Sequence, residues 1–380
     1  MRVHRSHVVS AVVAASALMA LAGAAAAQTQ PAWTVTSLHP PGAGGSVAND
    51  VDGEIVVGIT FAGSLTMPSL WNVASNVPIS LNPNPSQWGA EVAAAGGGQQ
   101  VGYIDRNEFI PRRYRPRAVL WTGTAESYVD LSTPFPSGGT RAFGVGGGQQ
   151  VGVTLVDLST NPDVRATLWS GSTASHVYLH VPAIMFASGA DATDGTQQVG
   201  SFIKLPSDTS PGVERAALWS GSAASFVNLH PPGAADSRAI AVSNGVQVGN
   251  MYPPNSSVPQ ACMWRGTAAS LVILTPPGAV ASIVQDTAGG MQIGAVGFAD
   301  DTGYAVVWSG TPESAFNLSQ FLPPGYESAL LTGIWTDGNT TRVSGNAYNM
   351  NAGGRQEAMI WTRTLCPGVP QCCDDIDFNN

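Results

Sequence analysis

Five arginines crowd one short stretch of this chain: Arg106, Arg112, Arg113, Arg115 and Arg117, with Phe109 and Tyr114 among them. A guanidinium presents a planar fork of donors that matches carboxylate, sulfate or phosphate. Tyr114 has the shape to stack on a sugar ring. In a chain of net charge −9 the cluster stands out. Arg112, Arg113, Tyr114 and Arg115 are therefore the leading ligand-binding candidates. The plainer account is that they neutralise Asp105 and Glu108 or stay solvated.

His39, His180 and His230 share one repeat position, and three histidines can hold a metal. Asn82, Ser132, Thr275 and Ser319 fill the same position elsewhere, which reads as turn chemistry. No metal and no cofactor is expected. Gly96-Gly97-Gly98 and Gly146-Gly147-Gly148 precede Gln-Gln-Val-Gly strands rather than helices, and no Lys follows. They read as hairpin turns, not phosphate loops. No nucleophile elbow, His-Glu-x-x-His or Cys/His pairing occurs. The acids Asp157, Asp163, Asp208, Glu214, Asp300 and Asp301 are spread over loops. A carboxylate pair for glycoside cleavage would have to meet between repeats.

The elements that position these residues come from one repeat. A Trp recurs at 71, 121, 169, 219, 264, 308 and 361, with spacings of 50, 48, 50, 45, 44 and 53. A Gly recurs at 58, 102, 152, 200, 249, 294 and 345, and a strand-ending Leu at 38, 81, 131, 179, 229, 274 and 318. Each unit splits into four short runs bounded by Gly, Pro, Asn or Ser, here called strands a to d. Strand a is rich in Ala and Gly and suits the crowded axis of a ring. Strand c carries the Trp, which fills the wider space between sheets. The chain opens on a lone strand d, Trp33 to Leu38, and the last unit stops after strand c. The first strand can therefore complete the last unit. The expectation is an all-β, seven-bladed β-propeller with four strands per blade, closed by the N-terminal strand. Closure also removes sheet edges that invite aggregation. Trp88 and Trp335 fall outside the Trp register and are candidates for exposed ligand contacts. The b–c loops (103–117, 153–165, 201–214, 250–259) vary, whereas the c–d turns are short and alike. Function is expected on the b–c and d–a face and at the channel mouth.

Arg2, His4, Arg5 and His7, the apolar run Val8 to Leu21 and the Ala25-Ala26-Ala27 site form a signal-peptide pattern over 1–27. The propeller is expected over 28–365 and a Cys-rich acidic tail over 366–380. Removing 1–27 leaves a net charge of −11, unsuited to binding nucleic acid. No later stretch is long and apolar enough for a membrane span. Of the four cysteines, Cys262 lies in an apolar strand and is expected to be a buried free thiol. The other three cluster in the tail.

Arg215-Ala-Ala-Leu-Trp219-Ser-Gly, Val227-Asn-Leu229, Ser237-x-Ala239 and Gly245-x-Gln-Val-Gly249 resemble the bacterial extracellular HAF repeats. The resemblance spans about 33–365. Asn-Leu-His-Pro-Pro-Gly stands where that family often has Asp-Leu-Gly, and the His-Ala-Phe signature is missing. It implies export and repeat architecture, and no activity. The tail Cys372-Cys373-Asp-Asp-Ile-Asp377-Phe-Asn379-Asn380 resembles the opening of a dockerin-like calcium loop, with Asp377 and Asn379 at its first two ligand positions. The later ligands are absent, so no calcium binding is expected of these residues alone. The expected protein is a monomer, secreted, periplasmic or on the cell surface. It would act as a binding or scaffold module for a polysaccharide or cell-surface protein. The alternative is an extracellular polysaccharide hydrolase or lyase with its site at the channel mouth.

Overall fold

The computed structural model describes residues 33–63, 65–84, 88–106, 116–132, 139–156, 163–205 and 212–365. The signal-peptide pattern and the Cys-rich tail lie outside them. Seven four-stranded antiparallel sheets are described. Blade 1 runs Gly45–Asp52, Ile55–Ala62, Leu65–Asn72 and Ile79–Ser80 as strands a to d. The other a strands are Trp88–Gly96, Thr140–Gly146, Met185–Thr193, Asp236–Ser243, Ala281–Ala288 and Tyr326–Thr336. Residues from all seven a strands line one central channel. The chain is thus a seven-bladed β-propeller.

Closure follows the expected pairing. Thr34–Ser37 is strand d of blade 7 and pairs antiparallel with Arg355–Thr364, with Val35 opposite Trp361 and Ser37 opposite Met359. Leu38, Ala358 and Ile360 of blade 7 pack with Val51, Val56 and Trp71 of blade 1. The ring is therefore sealed by apolar packing as well as by a ladder.

Each repeated Trp is fully buried. Trp121, for example, packs on Val57, Leu70 and Leu81 of the blade before it. An indole fills the wedge that opens between diverging sheets. Burying one removes roughly 200 Å² from water, an upper bound of about 5 kcal/mol. The repeated Gly has a different cause. Every a strand carries a β-bulge at one repeat position, between Ala48 and Asp50 in blade 1 and Leu331 and Gly333 in blade 7. Two residues before the bulge, a strand-a carbonyl lies against strand b. A Cβ on Gly58, Gly102, Gly152, Gly249 or Gly294 would sit 1.9 Å from that oxygen. Only glycine admits so close an approach.

Two polar devices repeat. In blades 2 to 6 a buried glutamine of strand b reaches the c–d turn. Gln100 Oε1 accepts the Gly123 N–H at 2.7 Å while its amide donates to Gly98 O of the a–b turn. Gln150, Gln198, Gln247 and Gln292 hold Gly171, Gly221, Gly266 and Gly310 in the same way. The a–b and c–d turns therefore share one face. Backbone bonds such as Leu205 N–H to Ile184 O and Ala235 N–H to Tyr252 O bring the d–a and b–c segments together on the other.

The second device joins neighbouring blades. A strand-a hydroxyl accepts a strand-c N–H of the preceding blade: Ser188 from Ala166, Ser237 from Ala216, Ser282 from Ala261, Ser46 from Ala358. His180, His230 and His39 place Nδ1 2.9, 2.8 and 3.0 Å from three of these hydroxyls. Thr275 takes that place beside Ser282. The shared His/Ser/Thr position is thus a staple between blades, more than the turn chemistry expected of it. Cys262 is buried and free, its Sγ 3.3 Å from Gly249 O.

Candidate functional site

The central channel encloses about 560 Å³ from the bulges to the a–b turns. Its wall mixes alanine and valine from the a strands with polar side chains, among them Asn49, Gln285, four acids and one arginine. Asp50 and Asp286 occupy the same bulge position in blades 1 and 6. Asp50 Oδ1 accepts its neighbour's N–H at Val51 (2.7 Å) and Oδ2 accepts Ala95 N–H of blade 2 (3.0 Å). Asp286 does the same with Thr287 (2.7 Å) and with Ile334 of blade 7 (2.8 Å). Blade 7 has Gly333 at this position, and a Cβ there would lie 2.3 Å from Asp50 Oδ1. The two carboxyls thus converge around Gly333 and Ile334. Burial is the main force raising both pKa values, and the repulsion between the two acids raises Asp50 further. Asp52 adds an acceptor for Gly98 N–H at the turn end.

On the opposite wall Asp191 of blade 4 takes a bidentate pair from Arg238 of blade 5, at 2.8 Å from Nε and 2.6 Å from Nη2. Burial raises the Asp191 pKa and Arg238 partly offsets it. Asp191 in turn raises the Arg238 pKa, so the guanidinium stays charged. Glu214 approaches the same guanidinium at 3.4 Å and also bonds Ser201.

A third polar cluster sits where the ring closes. Glu357 accepts from Tyr326 Oη (2.6 Å), Arg355 Nη2 (2.6 Å), Asn349 Nδ2 (3.0 Å) and Ser37 Oγ (3.0 Å). Burial disfavours its charge, but these donors hold its pKa down at about 2.

The structure separates the residues singled out by type. Arg112, Arg113, Tyr114 and Arg115 lie outside the described residues. Arg117 pairs with Asp130 at 2.5 Å. Trp88 begins strand a of blade 2, its backbone opposite Arg106, and its side chain is outside the description. Trp335 is half-buried on strand a of blade 7, lines the channel and has the Arg342 guanidinium 5.6 Å over its ring. Asp163 is tied to Arg165. Among the described residues no group of three His, Cys, Asp or Glu is arranged to hold a metal. No helix there is long and apolar enough to cross a membrane.

Asp50, Asp191 and Asp286 escaped the sequence reading, which looked for acids on loops. The usable signal was an acid inside a strand otherwise made of small residues.

This chain is similar in fold to an oligogalacturonate lyase solved in complex with manganese: TM-score 0.55, 12% identity, covering 89% of this chain and 95% of that one. It is also similar to the acylaminoacyl peptidase of Pyrococcus horikoshii, with TM-score 0.53, 10% identity and coverage of 84% and 52%. A prolyl endopeptidase gives TM-score 0.51, 10% identity and coverage of 86% and 51%. The chain spans about half the length of these peptidases. Such identities establish a shared fold. No protein-family model and no curated protein sequence matches the chain. The likeness to HAF repeats therefore rests on its residues alone.

Proposed function

We propose that this chain is an exported binding module that takes a polysaccharide or a cell-surface protein. One observation carries the reading: the two faces are built differently. The c–d turns of blades 2 to 6 are held alike by the same Gln–Gly bond. The b–c segments differ from blade to blade in length and sequence. A rigid disc with one uniform and one variable face is built to present loops. The segment that links strands b and c of blade 2 carries Arg112, Arg113, Tyr114 and Arg115 in its sequence, and Trp88 begins a strand that leaves the variable face. The HAF-like repeat supports export to the periplasm or cell surface. The test is a glycan array and a pull-down from cell-envelope extract with the full chain. Arg112, Arg113 and Arg115 changed together to Ala form the control. Loss of a captured ligand in the control supports the loop; no ligand in either screen sinks the reading.

A second reading is kept by a specific observation. Asp50 and Asp286 converge in the channel with raised pKa values, as a general acid requires. Their four main-chain bonds argue for a structural role. An Asp286→Asn chain that retains any polysaccharide-cleaving activity seen with the wild type would remove this reading.

A further inference from the structure

The face of the a–b and c–d turns is uniform over blades 2 to 6 and departs from that pattern in blades 1 and 7, where a valine faces the repeated Trp. Blade 7 has Val343 opposite Trp361, where blades 2 to 6 have the turn-holding glutamine. Next to this break a groove of about 520 Å³ opens among turns of blades 5, 6 and 7. Its volume falls in the range of small-ligand sites, about 300–1,000 Å³. Three kinds of group line it. Trp335, half-buried with the Arg342 guanidinium 5.6 Å over its ring, leaves part of an indole in the lining, which Met291 shares. Ser309 and Asn244, exposed at the rim, offer a hydroxyl and an amide. Arg363 is the one charged residue of the lining. Its guanidinium is set in place by the Trp33 ring 5.0 Å below it and by Met291 Sδ, 3.4 Å from Nη2.

These groups together describe a ligand. An indole and a thioether suit the C–H face of a sugar ring. A hydroxyl and an amide suit its hydroxyl groups. A preplaced guanidinium suits a carboxylate, by a charge-assisted bond. The rest of the chain is acidic, so a polyanion is not drawn to it non-specifically. Recognition of one must come from a local site. We propose that this groove binds a hexuronate residue of an acidic polysaccharide. The proposal rests on the binding-module reading and adds a site on the face opposite the variable loops.

The test uses two tetrasaccharides that differ only at C6: β-1,4-linked tetraglucuronate and cellotetraose. Each is titrated calorimetrically into the full chain. Tetraglucuronate should bind at least tenfold more tightly than cellotetraose. Ser309→Asp places a carboxylate on the exposed rim and should weaken tetraglucuronate at least tenfold; Arg363→Gln should do the same. If Arg363→Gln fails to fold, Ser309→Asp decides, since it alters only an exposed turn. Equal binding of the two sugars, no binding of tetraglucuronate, or unweakened binding by Ser309→Asp overturns the proposal. A glycan captured on the array that survives Ser309→Asp sinks this groove and leaves the binding-module reading standing. An empty array and an empty pull-down sink that reading itself.

Discussion

At the residue scale, two positions concentrate the structural cost of this fold. The repeated Gly of strand b lies under a strand-a carbonyl next to the bulge. Gly249→Ala would drive a methyl group to 1.9 Å from Arg238 O. Thermal unfolding of that variant should show a loss of about 3 kcal/mol or more, at the upper end of overpacking costs. The second position is the acid at the bulge. Burial makes the folded Asp286 carboxyl hold its proton more tightly than the unfolded chain does. Its contribution to stability is therefore complete at pH values below the ordinary carboxylate range. It is lost as the pH rises through the elevated folded value, between about pH 4 and 8. His39, His180 and His230, lowered mainly by burial, act in the opposite sense at acid pH. The readout is thus a difference: the melting temperature of wild type minus that of Asp286→Asn should fall from pH 4 to pH 8. A flat difference would show that the carboxyl titrates normally.

At the element scale, the strands are joined across blades by hydroxyl staples. Ser188→Ala leaves the Ala166 N–H without its acceptor and His180 Nδ1 without its partner. An unsatisfied buried N–H costs about 1–3 kcal/mol. Chemical denaturation should show that loss, and adding His180→Ala should cost less than the two separate losses summed, since both remove one network. The strand pattern itself was readable in the sequence. Val/Ile/Trp runs between Gly and Pro marked strands b and c, and the Ala-rich run marked strand a as innermost. The bulge was not readable. It consists of one extra residue, two positions after the carbonyl that lies against strand b, and Asn49, Ala93, Phe143 and Ile240 at that place share no side-chain type. The glycine it demands was visible only as a landmark without a reason.

At the scale of the whole molecule, stability depends on the seal at blade 7. Trp33 and Leu38 are buried there, and Ser37 bonds Glu357. Deleting 33–38 uncovers the edge of Arg355–Thr364 and opens the apolar packing between blades 7 and 1. Size-exclusion chromatography should then show association or aggregation, and the melting temperature should drop steeply. Moving the chain break elsewhere, by joining the termini and opening the Gly221 turn, keeps every ladder and should retain a cooperative melt.

The count of blades, their strand order and the closing strand were determined by the sequence alone. Each is a matter of local spacing and phase, which a repeat writes directly along the chain. The channel's chemistry was decided by the tertiary structure. Asp50 and Asp286 stand far apart in the sequence, in blades 1 and 6, and meet only because the ring brings those blades to either side of Gly333. The groove at Arg363 likewise exists only where three blades come together. Convergence of residues far apart in sequence is a property of the closed ring, and no stretch of the chain carries it.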